Sequence, residues 1–509
     1  MRAALIDIGS NSVKLFIAES QGENMTILES LKSIVPIAND TFLKDRISQE
    51  TINQVITILE KYRRVINDYD VNDIKVVATT AVREARNKDI FVDMINLKTG
   101  FQIDVLSVGD IIYYINAYLS REMGQTYPIH EKNLLIGELG SGSLDISVMQ
   151  QGFITEQQGL PLGMLRLKQL MNKFDVSLRE TFEAVTEHIS NEFSYLERAI
   201  PSAAIDDVIL IDENFSAYIL GILSRQKENL RFNAVTFEET QKILELFVDK
   251  TPAEISRAYK IPKEFSEVIV SYAIILNIFF SFTRNKQVYI VDITLGEALL
   301  AYRLLDLELS KKYNRTNQLI SFAKSICSRY RADISHARYV ADMSEIIFGA
   351  LREKLGLKKD TLLYLLLASY LHDIGMFIHN RAHHKHSEYI ISAMNFPRLR
   401  EEDVKIIACI SRYHRKASPN ETHLIYSSLS LENQIVVQKL SSLLRIANAL
   451  DRSHKQKIEK LEVKISQKGD VALIAYVKGN FMLEQEDFMN KKTLFEEITG
   501  NKVSLSIKS

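Results

Sequence analysis

The chain has 509 residues, 46% of them hydrophobic and 25% charged, which is ordinary globular composition at a length that calls for several domains. A net charge of −1 gives no overall electrostatic drive toward duplex nucleic acid or an anionic membrane. Two cysteines build no disulfide framework, the apolar runs are short for a membrane span, and no long apolar leader core opens the chain, so a cytoplasmic protein is expected.

Ala3 to Ile8 reads as a strand with Asp7 near its end, followed by the turn Gly9-Ser10-Asn11-Ser12 and a second strand, Val13 to Ala18. An acid at a strand end before a Gly/Ser-rich hairpin makes a phosphate cradle: small residues let backbone N–H groups approach anionic oxygens, and the carboxylate can hold a metal or a water. Ile52 to Ile66 has helical spacing. Ile74 to Ala78 is a strand running into Thr79-Thr80-Ala81-Val82-Arg83-Glu84-Ala85-Arg86-Asn87. Arg83 and Asn87 at that strand-to-helix junction can serve an anion, with a plain N-cap and solvated helix as the alternative.

A second hairpin copies the first: Asn133 to Leu139 carrying Glu138, then Gly140-Ser141-Gly142-Ser143, then Leu144 to Val148 carrying Asp145. Two such units suggest a duplicated fold with a phosphate site between the halves. Glu180 to Arg198 looks like a surface helix, Asp206 to Ile211 a strand, Phe265 to Phe282 a buried helix, and Gln287 to Ile293 a strand. A linker is expected near Ser310 to Asn314. From Thr316 the pattern is helical to about His454, and strands return at Leu461 to Ile465, Val471 to Val477 and Val503 to Ile507.

Inside the apolar run Leu362 to Ile378 stand His372 and Asp373, costly to bury in a helix unless something satisfies them. Nine of the eleven histidines lie at or beyond His336, with His383, His384, His386 and His414 downstream and Asp451 after them. Nitrogen and oxygen donors without thiolate suit Mn, Fe, Co, Zn or Mg. The alternative is a buried hydrogen-bonded core network.

The chain resembles the exopolyphosphatase/guanosine-pentaphosphate phosphohydrolase family. The residues that carry the likeness are Asp7 to Ser12, Ala78 to Asn87, Gly140 to Ser143, Leu160 to Leu167, the His372-Asp373 pair, His383 to Ser387 and Arg412 to Lys416. The resemblance implies an α/β, actin-like (ribonuclease H-like) duplicated N-terminal region, an all-α HD domain, and a small α+β C-terminal domain. The expected boundaries are 1–125, 126–312, 313–455 and 456–509. It further implies hydrolysis of phosphoanhydrides of polyphosphate or a phosphorylated guanine nucleotide with a divalent metal (Mg, Mn or another transition metal), and it leaves a homodimer open.

The family's general-base Glu aligns with Ser107 to Tyr113, where Ile111 and Ile112 stand in its place, and an Ile takes no proton from water. The later phosphate turn aligns with Asp212-Glu213-Asn214-Phe215, putting carboxylates where phosphate should be welcomed, and the family's Arg near the end of the second half aligns with Gly296. The resemblance makes His336, His372, Asp373 and Asp451 ligands of a first metal, with His386 and His414 for a second. Arg338, Lys385, Arg412, Arg415 and Lys416 are cations for the remaining phosphates. Three readings follow: a phosphohydrolase working from His372 and Asp373; a conventional exopolyphosphatase in which Asp7, Glu138 and Asp145 manage without the Glu; and a non-catalytic sensor of polyphosphate or guanosine tetraphosphate.

Overall fold

A computed structural model describes residues 1–508 apart from 125, 175, 201–204, 213–214, 224–231, 284, 286, 306–313 and 416. The chain divides into two compact units, Met1–Asn314 and Arg315–Ser509. The expected linker near Ser310 falls largely outside the described residues.

In the first unit, β1 (Arg2–Ile8), β2 (Ser12–Gln21), β3 (Asn24–Ile34), β4 (Ile74–Ala78) and β5 (Ile103–Val105) form one sheet in the order β3-β2-β1-β4-β5. A second sheet joins β6 (Asn133–Leu139), β7 (Leu144–Gln150), β8 (Phe153–Leu160), β9 (Asp207–Asp212), β10 (Phe232–Thr236) and β11 (Gln287–Val291) in the order β10-β11-β9-β6-β7-β8. In each sheet a three-stranded antiparallel meander continues from its first strand into parallel pairing, β1 with β4 and β4 with β5, and β6 with β9 and β9 with β11. The duplication read from the two hairpins is therefore a duplication of topology, with β10 added at one edge. Strands such as β1 are buried on both faces, which is why they read as unbroken apolar runs. Helices Val108–Met123 and Leu295–Leu304 share one core with Leu5 and Val77 of the first sheet and Ile136 and Ile211 of the second.

The second unit packs helices Ile334–Leu351, Thr361–Leu371, His383–Ser392, Glu401–Arg412 and Leu431–Ala449 around buried residues such as Ile347, Leu367, Ile407 and Leu443. After them β12 (Ile458–Ile465), β13 (Val471–Val477) and β14 (Val503–Lys508) make a three-stranded sheet. Because β13 and β14 are parallel, a crossover must join them, and helices Met482–Lys491 and Thr493–Thr499 provide it.

Two expected helices are cut short. Phe265 to Phe282 breaks into Lys263–Ser266, Ile269–Phe279 and a 3₁₀ turn at Phe280–Phe282. The apolar run Leu362 to Ile378 is helical only to Leu371, so His372 and Asp373 stand at a helix end and lead into a 3₁₀ turn, Ile374–Phe377. The chain turns there because Gly375 sits against the next helix, where a Cβ would lie 2.2 Å from the His383 carbonyl oxygen. No helix among the described residues is long and apolar enough to cross a membrane.

Candidate functional sites

The two hairpins of the first unit face a shared cleft of about 530 Å³. Asp7, Ser10, Asn11, Ser12, Glu138, Gly140, Ser141, Gly142, Ser143 and Asp145 all line it. Asp7 pairs with Lys14 across the first hairpin, and Glu138 with Asp145 across the second. The Thr80 and Ser143 hydroxyls, 3.0 Å apart, tie the loops together. Close approach explains the small residues: a Cβ on Gly142 would meet Ser10 Oγ at 2.6 Å, and one on Gly163 would sit 2.2 Å from the Gly142 carbonyl carbon. Arg166 Nε donates to the Gly142 carbonyl at 2.7 Å and clamps the second loop. Lys14, Lys32 and Lys168 add positive charge to the walls.

Several expected members of this cleft lie elsewhere. Arg83 does not line it; its guanidinium donates to the Leu106 carbonyl at 2.8 Å and to Thr80 Oγ1 at 3.3 Å. Asn87 is also absent, because its amide pins the backbone of Ile47 from both sides, at 2.9 Å each. Asn87→Ala is accordingly expected to cost about 1–3 kcal/mol of stability in urea unfolding while anion binding in the cleft stays unchanged. Asp212 is turned into the core, where its carboxylate accepts from Tyr272; Glu213 and Asn214 lie outside the described residues. At Gly296 there is no room for a side chain, since a Cβ would approach Phe16 to 2.5 Å. Ile111 does line the cleft, and the neighbouring Asp110 is spent on capping its own helix through Ser107. One acid escaped the sequence reading: Glu264, on the short helix Lys263–Ser266, reaches the cleft from an exposed position on its rim.

Burial pushes the Asp145 carboxyl up to about 6, against the opposing pull of the Arg83 guanidinium and the Ser143 hydroxyl. A carboxyl whose folded pKa is raised costs nothing while protonated in both states and destabilises the fold as pH climbs from about 4 through 6. Asp145→Asn is expected to resist urea better than the wild type at pH 8, by roughly 2–3 kcal/mol, and to match it at pH 4. Lower stability of the variant at pH 8 would show that the carboxylate is favourably held.

In the second unit the histidines converge. His383 Nε2 lies 3.1 Å from Asp373 Oδ1 and 3.2 Å from His414 Nε2, and His414 Nε2 is 3.5 Å from the same oxygen. His372 Nε2 stands 3.5 Å from Asp373 Oδ2. The opposite ring nitrogens are committed: Nδ1 of His372, His383 and His414 donates to the carbonyls of Ser369, Asn380 and Ser411 at 2.8, 3.0 and 2.6 Å. A carbonyl only accepts, so each Nδ1 carries the hydrogen and each Nε2 of a neutral ring presents a lone pair. His336 Nδ1 donates to Asp451 Oδ2 at 2.8 Å, and the Nε2 atoms of His336 and His372 are buried with no hydrogen bond. Burial drives His372 down to about 4 and His414 well below the usual imidazole range, so these two rings resist a second proton.

Among the described residues, two groups able to hold a cation share Asp373: His336, Asp373 and His454, and Asp373, His383 and His414. The expected set is thus rearranged in three places. His383 occupies the position beside His414 that was assigned to His386, because the helix begins at His383 and turns that ring inward. Asp451 stands behind His336 as its hydrogen-bond acceptor, with Gln456 donating to both of its oxygens. His454, overlooked in the sequence, stacks on His336 at 3.6 Å and is held by Asp333 at 3.0 Å; its spacing of three from Asp451 was the available signal. Arg412 is paired with a buried Glu388, Arg338 is exposed, and Arg415 is half-buried with its charge felt at His384. Lys416 lies outside the described residues.

The model of the Ppx/GppA phosphatase family matches residues 16–307, and that of Ppx/GppA phosphatase domain III matches 320–495. The chain is 23% identical over 451 residues to the guanosine-5′-triphosphate,3′-diphosphate pyrophosphatase of Aliivibrio fischeri, across 87% of this chain and 86% of that one. The Ppx/GppA family member of Aquifex aeolicus superposes with a TM-score of 0.53 at 20% identity, over 61% of this chain and 99% of that one. An exopolyphosphatase from Cytophaga hutchinsonii gives a TM-score of 0.52 at 18% identity, over 60% of this chain and 98% of that one. At these identities the structural likeness is one of fold, and the mixed sheets of the first unit fit the actin-like expectation.

Proposed function

The chain belongs to the Ppx/GppA phosphatase family, and from that premise we propose that it is a phosphohydrolase of polyphosphate or a phosphorylated guanine nucleotide whose chemistry is carried by the cluster around Asp373. The observation behind this is the triangle of Asp373 Oδ1, His383 Nε2 and His414 Nε2, with edges of 3.1, 3.2 and 3.5 Å and both Nδ1 atoms already donating. Lone pairs so disposed fit a shared cation, and the unpaired Nε2 atoms of His336 and His372 fit it too. A divalent cation held there supplies an acidified water and neutralises phosphoryl charge. The chain itself orients the donors: Asp451 and three backbone carbonyls fix the rings, and Arg415 takes a trailing phosphate. On this reading the first unit is two actin-like halves, 1–125 and 126–312, whose cleft binds the polyanion. The second is an HD-type domain, 313–455, with an α+β tail, 456–509.

Glu264 favours a second reading, hydrolysis in the cleft with that carboxylate taking the place of the base lost at Ile111. Phosphate release from polyphosphates and guanosine polyphosphates separates the two. Glu264→Gln and Glu138→Ala with turnover near wild type support the first; a loss of about 10²-fold or more in either, the usual scale for a missing general base, supports the second.

A further inference from the structure

His414 stands two residues beyond the end of helix Glu401–Arg412, where intrahelical hydrogen bonds no longer fix the chain. Its Nδ1 donates to the Ser411 carbonyl, which sets the ring relative to its own segment. That bond does not set where the segment lies relative to the other donors. Yet His414 Nε2 is held 3.5 Å from Asp373 Oδ1 and 3.2 Å from His383 Nε2.

Helix Leu431–Ala449 reaches the same segment through Arg445, which is 4% exposed. Its Nε donates to the Tyr413 carbonyl at 2.7 Å, and its Nη2 donates to the Ala417 carbonyl. Both contacts are to backbone oxygens, and burying a cation on carbonyl dipoles alone is costly. A helix cap would account for the Tyr413 contact. It would not account for Ala417, five residues past the helix end. The planar fork instead straps a loop at two points, and His414 lies between them. Beyond Arg445 the same helix leads to Asp451, which accepts from His336 Nδ1 at 2.8 Å.

We infer that Arg445 is a positioning residue of the Asp373 site, holding the Tyr413–Ala417 loop so that His414 Nε2 faces Asp373. One helix then orients two histidines of the cluster, His336 through Asp451 and His414 through Arg445. The inference rests on the function proposed above and adds to it the residue that places His414.

Mn²⁺ affinity of the full-length protein tests it through a double-mutant cycle. Arg445→Met is expected to weaken Mn²⁺ binding about tenfold, the lower end of the scale for a group behind a ligand. With His414→Ala already present, the same change is expected to cost less than about twofold, because the residue it places is gone. Charge alone would act in the opposite direction, since losing a nearby cation favours Mn²⁺. Arg445→Lys keeps the charge and a donor but loses the fork, and about threefold weakening is expected. It carries the same cycle should Arg445→Met fail to fold. Equal weakening with and without His414 marks a general effect on the fold and overturns the inference, as does unchanged or tighter binding in Arg445→Met. Unchanged Mn²⁺ affinity in His414→Ala alone overturns the proposed function, and the inference with it.

Discussion

Asp373→Asn is expected to lower phosphate release by about 10³-fold or more, a loss on the scale of removing a metal's shared ligand. The residue serves three rings at once: Oδ1 lies 3.1 Å from His383 and 3.5 Å from His414, and Oδ2 is 3.5 Å from His372. An asparagine keeps the shape and removes the charge, and it offers an N–H₂ group to nitrogens that already present lone pairs. Asp451→Asn tests the layer behind. It weakens the acceptor that orients His336 through the 2.8 Å contact, and a loss of about 10–100-fold in metal affinity is expected. Urea unfolding of both metal-free variants near wild type would show that the loss is chemical. Unchanged turnover in Asp373→Asn would remove the cluster from the reaction.

Gly375→Ala is expected to cost substantial stability. The added Cβ would lie 2.2 Å from the His383 carbonyl oxygen, 2.5 Å from the Ser387 nitrogen and 2.8 Å from the His386 Cβ. Two of these are backbone atoms of a helix, which cannot rotate away. The same junction is held by Ser387, whose hydroxyl accepts from the Gly375 N–H at 2.9 Å and donates to the His372 carbonyl at 2.6 Å. Overpacking ordinarily costs about 1–3 kcal/mol, and with backbone on the far side about 3 kcal/mol or more is expected. The helix His383–Ser392 must shift, carrying His383 away from Asp373, so metal affinity should fall with stability. Chemical denaturation with and without Mn²⁺ measures both. Ser387→Ala, which removes hydrogen bonds without a clash, should lie nearer 1–2 kcal/mol.

Much of this was legible in the residues. The two acid–Gly/Ser hairpins read correctly as strands and as a repeat because the alternation and the small turn residues are local signals. The strands left unread were β3, β5, β8 and β10. β3 is an edge strand whose pattern mixes Glu, Lys and Ser with apolar residues, and β5 is only three residues long. The end of the helix before His372 was invisible because leucines continue through it as isoleucine, methionine and phenylalanine; only Gly375 marks the turn, and its reason is a contact with a segment eight or more residues away. Arg83 and Asn87 had the chemistry of anion binders, but their partners are backbone atoms contributed by distant loops. The choice between His383 and His386 depended on where a helix begins, which spacing alone leaves uncertain by a residue or more. Glu264 comes from a segment with no motif at all.

Anomalous scattering from crystals of the full chain grown with Mn²⁺ tests the central claim most directly. The account calls for a manganese peak at Asp373, contacted by imidazole Nε2 atoms of the second unit. A peak beside Asp7, Glu138 and Asp145 with none at Asp373 would contradict it.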